Sequence, residues 1–469
     1  MCGLIGGMFL SENQIKQGLL KIQHRGRDSS KIYADEKIGL GFNRLAIIDL
    51  DNRADQPMAN EDESIWLVAS GEIWNYQHLR RQLQSSHRFR SQGDSEIIIH
   101  AYEEWGVDFL KRVDGMFSLA VYDKNQNKII LARDWVGKIP FYYLVNQDKL
   151  AFANEIKGLM HLDHYSFDKI SEVMPGHYLA FDINTSQLFS QAYYQIPEFV
   201  VEADIKEIGR NINRLLKEGV KNRLISDVPL CTLLSGGIDS LTLTYCLKQY
   251  KHDIEAYVVS LGQSNGNDDL FFARKAAKWL DVPLHEVIIE QDEIFKVIPD
   301  IVYALEQSKF YQVQAAVANY FLAKAISQDG FKVALSGEGS DEIWGAYDTT
   351  RDFAGTLGFR EVRKELIQNI HRGNLARLNK VMLYAGTIEM RSPFLHRPLV
   401  EYCLNIPEHL IVHKSHRKYP LIKAFENEIP YDMLIRPKTT IQDGTKISKI
   451  LSSETRFYQE ILEQIFRRH

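Results

Sequence analysis

The apolar periodicity of this chain changes at about residue 203, and a chain that switches period in mid-course cannot build one repeating architecture. Before the switch, short apolar runs at 39–42, 46–48, 65–69, 118–122, 129–132 and 141–144 alternate with turn-forming segments such as Asp123-Lys124-Asn125-Gln126-Asn127. Runs of that length between turn residues read as strands, and their packed apolar character suits two stacked sheets. After the switch, Ile205, Ile208, Ile212, Leu215, Leu216 and Val220 recur every three or four residues and predict one face of a long helix. A strand over 228–234, a glycine loop and a helix over 241–250 follow. Then come strands at 256–261 and around Val287, with a helix over 269–280 between them, and a helix over 315–326 that closes at Gly330 before a short strand at 333–335. Alternation of this kind implies a doubly wound parallel sheet with helices on both faces. The expectation is an α+β first domain over 2–195 and an α/β second domain over 203–469.

Composition narrows the partners. With 469 residues, 45% hydrophobic and 25% charged, the chain has an ordinary globular balance, and its net charge of -5 argues against a nucleic-acid-binding surface. Small molecules are the expected partners. The four cysteines, Cys2, Cys231, Cys246 and Cys403, include no CxxC pair and are too sparse for a disulfide framework, which fits a reducing cytoplasm. The apolar run from Leu4 to Leu10 lacks a basic leader and is short for a signal core, and no stretch approaches the roughly 20 apolar residues of a membrane span.

Cys2 is the most informative single residue. Removal of Met1 ahead of this small side chain leaves a thiol and a free α-amine on one residue. An α-amine titrates near 7.7 to 8.0 against about 10.4 for lysine, so its unprotonated fraction at neutral pH is several hundred-fold larger. It can take the thiol proton without a histidine partner.

Two loops in the second half carry further chemistry. Ser235-Gly236-Gly237-Ile238-Asp239-Ser240 joins a buried strand to a helix, where backbone N–H groups and the helix dipole receive phosphate. It lacks the Gly-Lys-Ser/Thr ending of a Walker A loop. Ser336-Gly337-Glu338-Gly339-Ser340-Asp341-Glu342 follows the strand at 333–335, and its carboxylates suit Mg2+, with Asp341 the main expected ligand and Glu338 placed for substrate contact or proton transfer. Glu342 at the final glycine position argues against a dinucleotide fingerprint.

The Ser235 loop resembles the pyrophosphate loop of N-type ATP pyrophosphatases, and the whole chain to about residue 446 resembles class B, glutamine-hydrolysing asparagine synthetase. The first half carries Cys2-Gly3-Leu4-Ile5-Gly6, His24-Arg25-Gly26-Arg27-Asp28, Asn43 to Asp49, Gln56-Pro57, Gly71-Glu72-Ile73-Trp74-Asn75 and Gly93-Asp94-Ser95-Glu96. The second half carries Ser226-Asp227-Val228-Pro229, both loops, Glu389 to Leu395, Arg436-Pro437-Lys438 and Asp443-Gly444. The resemblance implies a class II glutamine amidotransferase domain of the Ntn-hydrolase sandwich type, followed by an ATP pyrophosphatase domain. It implies Cys2 as nucleophile, Arg44, Gly71, Glu72 and Asp94 as glutamine-holding residues, and Ser70 with Gly71 at the oxyanion. For ATP it implies Leu233, Ser235, Gly236, Gly237, Asp239, Ser240, Val259, Ser336 and Gly337, with Asp239 and Asp341 on Mg2+ and Lys438 on the activated intermediate. An arginine fork suits an α-carboxylate, and acidic side chains suit an α-ammonium.

Three departures accompany the match. Ser70 stands where the family commonly has Asn, and loss of one oxyanion donor costs about 2.7 to 4 kcal/mol in acyl transfer, unless the serine hydroxyl or the Gly71 N–H substitutes. Gln314, in Tyr311-Gln312-Val313-Gln314-Ala315, replaces an arginine that reads aspartate and supplies no charged fork. His396 replaces the usual Asp. The implied reaction is ATP-dependent adenylation of a carboxylate, followed by attack of ammonia that is freed from glutamine at Cys2 and carried through an internal channel. Asparagine formation from aspartate is the first reading and another acid, such as a sugar uronate or biosynthetic intermediate, the second. Lactam formation is opposed by Cys2, and a non-catalytic binding role by the presence of Cys2, Asp239, Asp341 and Lys438. A homodimer is the family's expectation.

Overall fold

The computed structural model describes residues 1–162, 169–262, 264, 266, 268–413, 416–436, 441–451 and 455–466. The chain divides into two compact units, the first built chiefly from residues 1–195 with 226–228, the second from Ile196–Ile225 and Pro229–Ile465.

The first unit holds two six-stranded antiparallel sheets, matching the stacked sheets expected. One runs in the order 171–172, 142–146, 149–153, 3–8, 38–44, 29–34; the other in the order 188–192, 177–182, 128–133, 115–123, 65–73, 58–59. Strand Gly3–Met8 is buried along its whole length and paired on both sides, to Ile38–Arg44 and to Lys149–Ala153. Its apolar run, weighed against a signal core in the sequence, is therefore a central strand, and Cys2 sits at its leading end. Leu4, Phe42 and Phe152 from the first sheet meet Val68, Leu131 and Phe181 from the second in one core. Each such side chain contributes roughly 1.5 to 3 kcal/mol on burial.

One expected strand is absent. Residues 46–48 form no strand, bending at Ile47 and Ile48 with Ala46 and Ile47 buried, because their backbone groups find other partners. The Ala46 N–H donates to Asp28 Oδ2 at 2.7 Å, and the Ile47 carbonyl accepts the Asp227 N–H at 2.9 Å. Side-chain acceptors placed this well outcompete a strand ladder.

The second unit carries the predicted parallel sheet, in the order 284–289, 256–261, 230–233, 333–335, 389–391. Strand Leu230–Leu233 pairs in parallel with both Ala256–Leu261 and Val333–Leu335. The chain winds outward one way from Leu230–Leu233 and then crosses to the other side, so the order reverses between 230–233 and 333–335. A crevice opens at such a switch point, outside the carboxyl ends of the strands. Helix Ile205–Asn222 starts at Asp204, whose side chain accepts the Glu207 N–H, and buries Ile208, Ile212, Leu215, Leu216 and Val220 along its predicted face. Helices Gln291–Leu305, Phe310–Gln328 and Asn374–Gly386 pack on one another and on the sheet. Among the described residues, no helix is long and apolar enough to cross a membrane.

Candidate active sites

Cys2 is held by its own backbone. Its carbonyl accepts Arg25 Nε at 3.0 Å and Ser70 Oγ at 2.7 Å, while its Sγ accepts the Leu45 N–H at 3.3 Å. Arg25 is in turn fixed by Glu155, which is fully buried and takes Arg25 Nη1 at 2.8 Å, His24 Nε2 at 3.0 Å and Lys157 Nζ at 2.5 Å. Burial alone would raise the Glu155 carboxyl, but the charges of His24, Lys157 and Arg25 hold it well below its ordinary value. A buried, ionised carboxylate thus clamps the arginine that clamps the nucleophile. The motif His24-Arg25 marks this position in the sequence, but not its role.

A narrow cavity of about 30 Å³ adjoins the thiol, lined by Cys2, Arg44, Gly71, Glu72, Gly93 and Asp94 among others. All four residues expected to hold glutamine therefore meet at the thiol. Arg44 Nη1 donates to Asp55 Oδ1 at 2.9 Å and to the Asp51 carbonyl at 2.8 Å, so its guanidinium is pre-oriented. Asp94 Oδ2 accepts the Ile73 N–H at 2.6 Å and ties the 93–96 turn to strand Ile65–Ile73. Gly71 has φ +129°, and a Cβ there would lie 1.9 Å from the Met116 carbonyl oxygen, so no other residue fits. Ser70 is fully buried, and its hydroxyl is given to the Cys2 carbonyl.

The second site forms where the sheet order reverses. Gly236 has φ +73° and passes so close to Phe272 that a Cβ would lie 2.4 Å from its backbone carbon; this turn aims Gly237 at the start of helix Ile238–Lys248. The Ser235 and Ser240 hydroxyls lie 3.2 Å apart and close the loop on itself. Arg436 Nη1 donates to the Ser235 carbonyl at 2.7 Å from the other side of the cavity. The acidic loop packs alongside, with Ser340 Oγ donating to Asp239 Oδ1 at 2.6 Å. Lys418 Nζ bridges the two loops, 2.6 Å from Asp239 Oδ2 and 2.6 Å from Asp341 Oδ1. Burial opposes its charge, yet the two carboxylates hold Lys418 above the usual lysine range.

Around this bridge lies a cavity of about 640 Å³, which takes in Leu233, Ser235, Gly237, Asp239, Ser240, Val259, Ser336, Gly337, Glu338 and Asp341. Of the residues expected at the nucleotide, Gly236 alone stays off the wall, serving the turn. Lys438 lies outside the described residues. Gln314 is buried within helix Phe310–Gln328, and His396 is buried ahead of helix Arg397–Leu404; neither belongs to the described wall. Burial, then Arg223 and Arg397, push the His396 imidazole down to about 3.

Sequence reasoning missed two residues here. Lys418 lies 179 residues from Asp239 and closes a short basic stretch that carries no motif. Glu342 in sequence speaks only against a dinucleotide motif. It is nearly fully buried, accepts the Tyr347 hydroxyl at 2.6 Å and Asn374 Nδ2 at 3.0 Å, and its carboxyl is pushed up to about 7 by burial, then by Glu338 and Asp341. A carboxyl poised near neutrality in a cavity suits proton transfer.

Residues 1–206 match the family model of a glutamine amidotransferase domain, and residues 211–366 with 351–467 match that of asparagine synthase. The class is thus an amidotransferase unit joined in one chain to a synthetase unit. Proteins named as glutamine-hydrolysing asparagine synthetases align along nearly the full length. The one from Methanocaldococcus jannaschii is 32% identical over 460 residues, covering 89% of this chain and 83% of its own. That of Dictyostelium discoideum is 32% identical, covering 95% and 84%, and the nodule enzyme of Pisum sativum is 32% identical, covering 95% and 78%. The chain belongs to the glutamine-hydrolysing asparagine synthetase family.

Proposed function

We propose that residues 2–195 form a glutaminase and residues 203–469 an ATP-dependent synthetase that together convert aspartate to asparagine. The observation that carries the reading is the meeting of Asp239 and Asp341 on one cationic nitrogen, inside a cavity at the sheet's switch point. Two carboxylates arranged around one positive charge are hard oxygen donors that fit Mg2+. When bound there, Mg2+ neutralises charge on the ATP phosphates. Ser235, Gly236, Gly237 and Ser240 offer the phosphate-receiving turn, with Leu233, Val259, Ser336 and Gly337 around the nucleotide.

In the proposed cycle the acceptor carboxylate attacks the α-phosphorus of ATP and expels pyrophosphate, giving an acyl adenylate. Cys2, freed of Met1, gives its thiol proton to its own amine and attacks the glutamine amide. Arg44 takes the substrate α-carboxylate, while Glu72 and Asp94 take its ammonium. Gly71 lies where the tetrahedral oxyanion develops, and Ser70 serves by fixing Cys2 through the carbonyl it binds. Ammonia leaves, and water hydrolyses the thioester to glutamate. Ammonia then attacks the acyl carbon of the adenylate, with Glu338 or Glu342 receiving its excess proton and Lys438 on the departing phosphate, and asparagine and AMP result. The four free thiols support the reading of a reducing cytoplasm.

A second acceptor acid is favoured by one observation. Gln314 puts a neutral amide where an arginine reads aspartate, and it lies off the described wall. Feeding amide-labelled [15N]glutamine, ATP and aspartate tests the proposal. Label in asparagine, with AMP and pyrophosphate released in equal amounts, is expected; ADP release would refute it.

A further inference from the structure

We infer that Glu61, His87, His100 and Glu103 form a site for one divalent transition-metal ion of the zinc type. These residues come from three separate segments: the turn after strand Met58–Ala59, the stretch after helix Tyr76–Leu83, and helix Glu96–Trp105. Each offers one ligand atom, and all four atoms lie within 4.8 Å of one another. The two imidazoles aim the same nitrogen at the same oxygen. Nδ1 of His100 lies 2.9 Å and Nδ1 of His87 3.3 Å from Glu103 Oε2.

The surroundings are those of ligands already oriented. Metal-binding histidines almost always turn their second nitrogen to a carboxylate, a carbonyl or water. Here His87 Nε2 lies 3.0 Å from Glu104 Oε1, and His100 Nε2 faces Glu96 Oε1 at 3.7 Å. The carboxylates are fixed as well. Glu103 Oε1 accepts Asn60 Nδ2 at 2.8 Å, and Glu61 Oε1 accepts the Arg88 N–H at 2.8 Å. Two imidazoles with two carboxylates suit tetrahedral zinc and its neighbours, whereas Mg2+ and Ca2+ prefer oxygen alone.

The ion would pin the segment that leads into the wall beside Cys2. Glu96 Oε1 faces His100 and also accepts the Arg90 N–H at 2.7 Å, while its Oε2 accepts the Ser91 N–H at 2.7 Å and Ser91 Oγ at 2.6 Å. Ser91, Gly93 and Asp94 line the cavity at the thiol. A metal would therefore fasten this stretch at His87 and, through His100 and Glu96, at Ser91.

The test titrates the full chain, stripped by a chelator and kept in excess Mg2+, with Zn2+ against a chromogenic competitor. One equivalent of Zn2+ is expected in both the unaltered chain and Cys2→Ser. Glu104→Gln should weaken binding about 10- to 100-fold, the usual effect of removing an outer partner of a metal-bound histidine, and His87→Ala should abolish it. No stoichiometric Zn2+, or binding that His87→Ala leaves unchanged, overturns the inference. Should His87→Ala fail to fold, Co2+ in the unaltered chain decides. Tetrahedral visible bands without thiolate charge transfer support the site, and an octahedral or thiolate spectrum overturns it.

Discussion

Replacing Glu342 with Gln should change how stability depends on pH, by an amount that the structure allows to be worked out. The Glu342 carboxyl is pushed from 4.5 to about 7 by burial and by the neighbouring Glu338 and Asp341. Between those two pH values the folded chain holds a proton that the unfolded chain has released, so stability falls as pH rises through the window. Its protonated form is accommodated at full stability below pH 4.5, and that stability is lost as pH passes 7. At about 1.4 kcal/mol per pH unit, the loss totals on the order of 3 kcal/mol. Gln keeps an acceptor for the Tyr347 hydroxyl and has no proton to lose. The stability of the wild type minus that of Glu342→Gln should therefore drop by about 3 kcal/mol between pH 4 and pH 8. Urea unfolding of both proteins at several pH values, without nucleotide, measures this, and subtraction cancels the titrations of groups distant from Glu342. A difference independent of pH would show that Glu342 titrates alike in the folded and unfolded chain, and would refute the electrostatic account of the acidic loop.

Other outcomes follow from the same geometry. Cys2→Ala should abolish glutamine-driven amide formation while leaving ammonia-driven formation intact, as read by AMP release with each nitrogen source. Ser70→Ala should lower glutaminase kcat/KM by less than about tenfold, because one hydrogen bond to the Cys2 carbonyl is lost, worth roughly 0.5 to 1.5 kcal/mol; a fall of 10² to 10³ would put the hydroxyl on the oxyanion instead. Arg25→Met should lower stability by about 3 to 5 kcal/mol, since Glu155 loses a partner inside the core, and a thermal scan reads the shift. Lys418→Met should remove ATP-dependent pyrophosphate release and destabilise the metal-free chain, with added Mg2+ restoring part of the lost stability.

The period switch and the chemistry of single loops were legible in the sequence because both are local. Helix Ile205–Asn222 buries the face its spacing predicted, and the Ser235 turn needs glycine at the position the motif supplies. The 46–48 run misled because apolar character reports burial, whereas strand pairing depends on what the backbone groups meet; here they meet Asp28 and Asp227. Lys418 and Glu155 were invisible for a related reason. A buried charge is recognised by its partners, and those of Glu155 lie at positions 24, 25 and 157. Glu342 gained its raised carboxyl only when the loop folded three acids together under Tyr347. The sheet order had the largest effect. It brings strand Val333–Leu335 beside Leu230–Leu233, and so joins two loops a hundred residues apart into one cavity.

The central claim is that one chain couples glutamine hydrolysis at Cys2 to adenylate amidation in the cavity of Asp239 and Asp341. Acceptor-dependent pyrophosphate release, measured with glutamine over a panel of carboxylic acids, tests it most directly. The account predicts release with aspartate, matched by AMP and by glutamate, and loss of all three signals' coupling in Cys2→Ala. Release with another acid in place of aspartate would move the substrate and keep the mechanism. ADP in place of AMP, or no acceptor dependence at all, would contradict it.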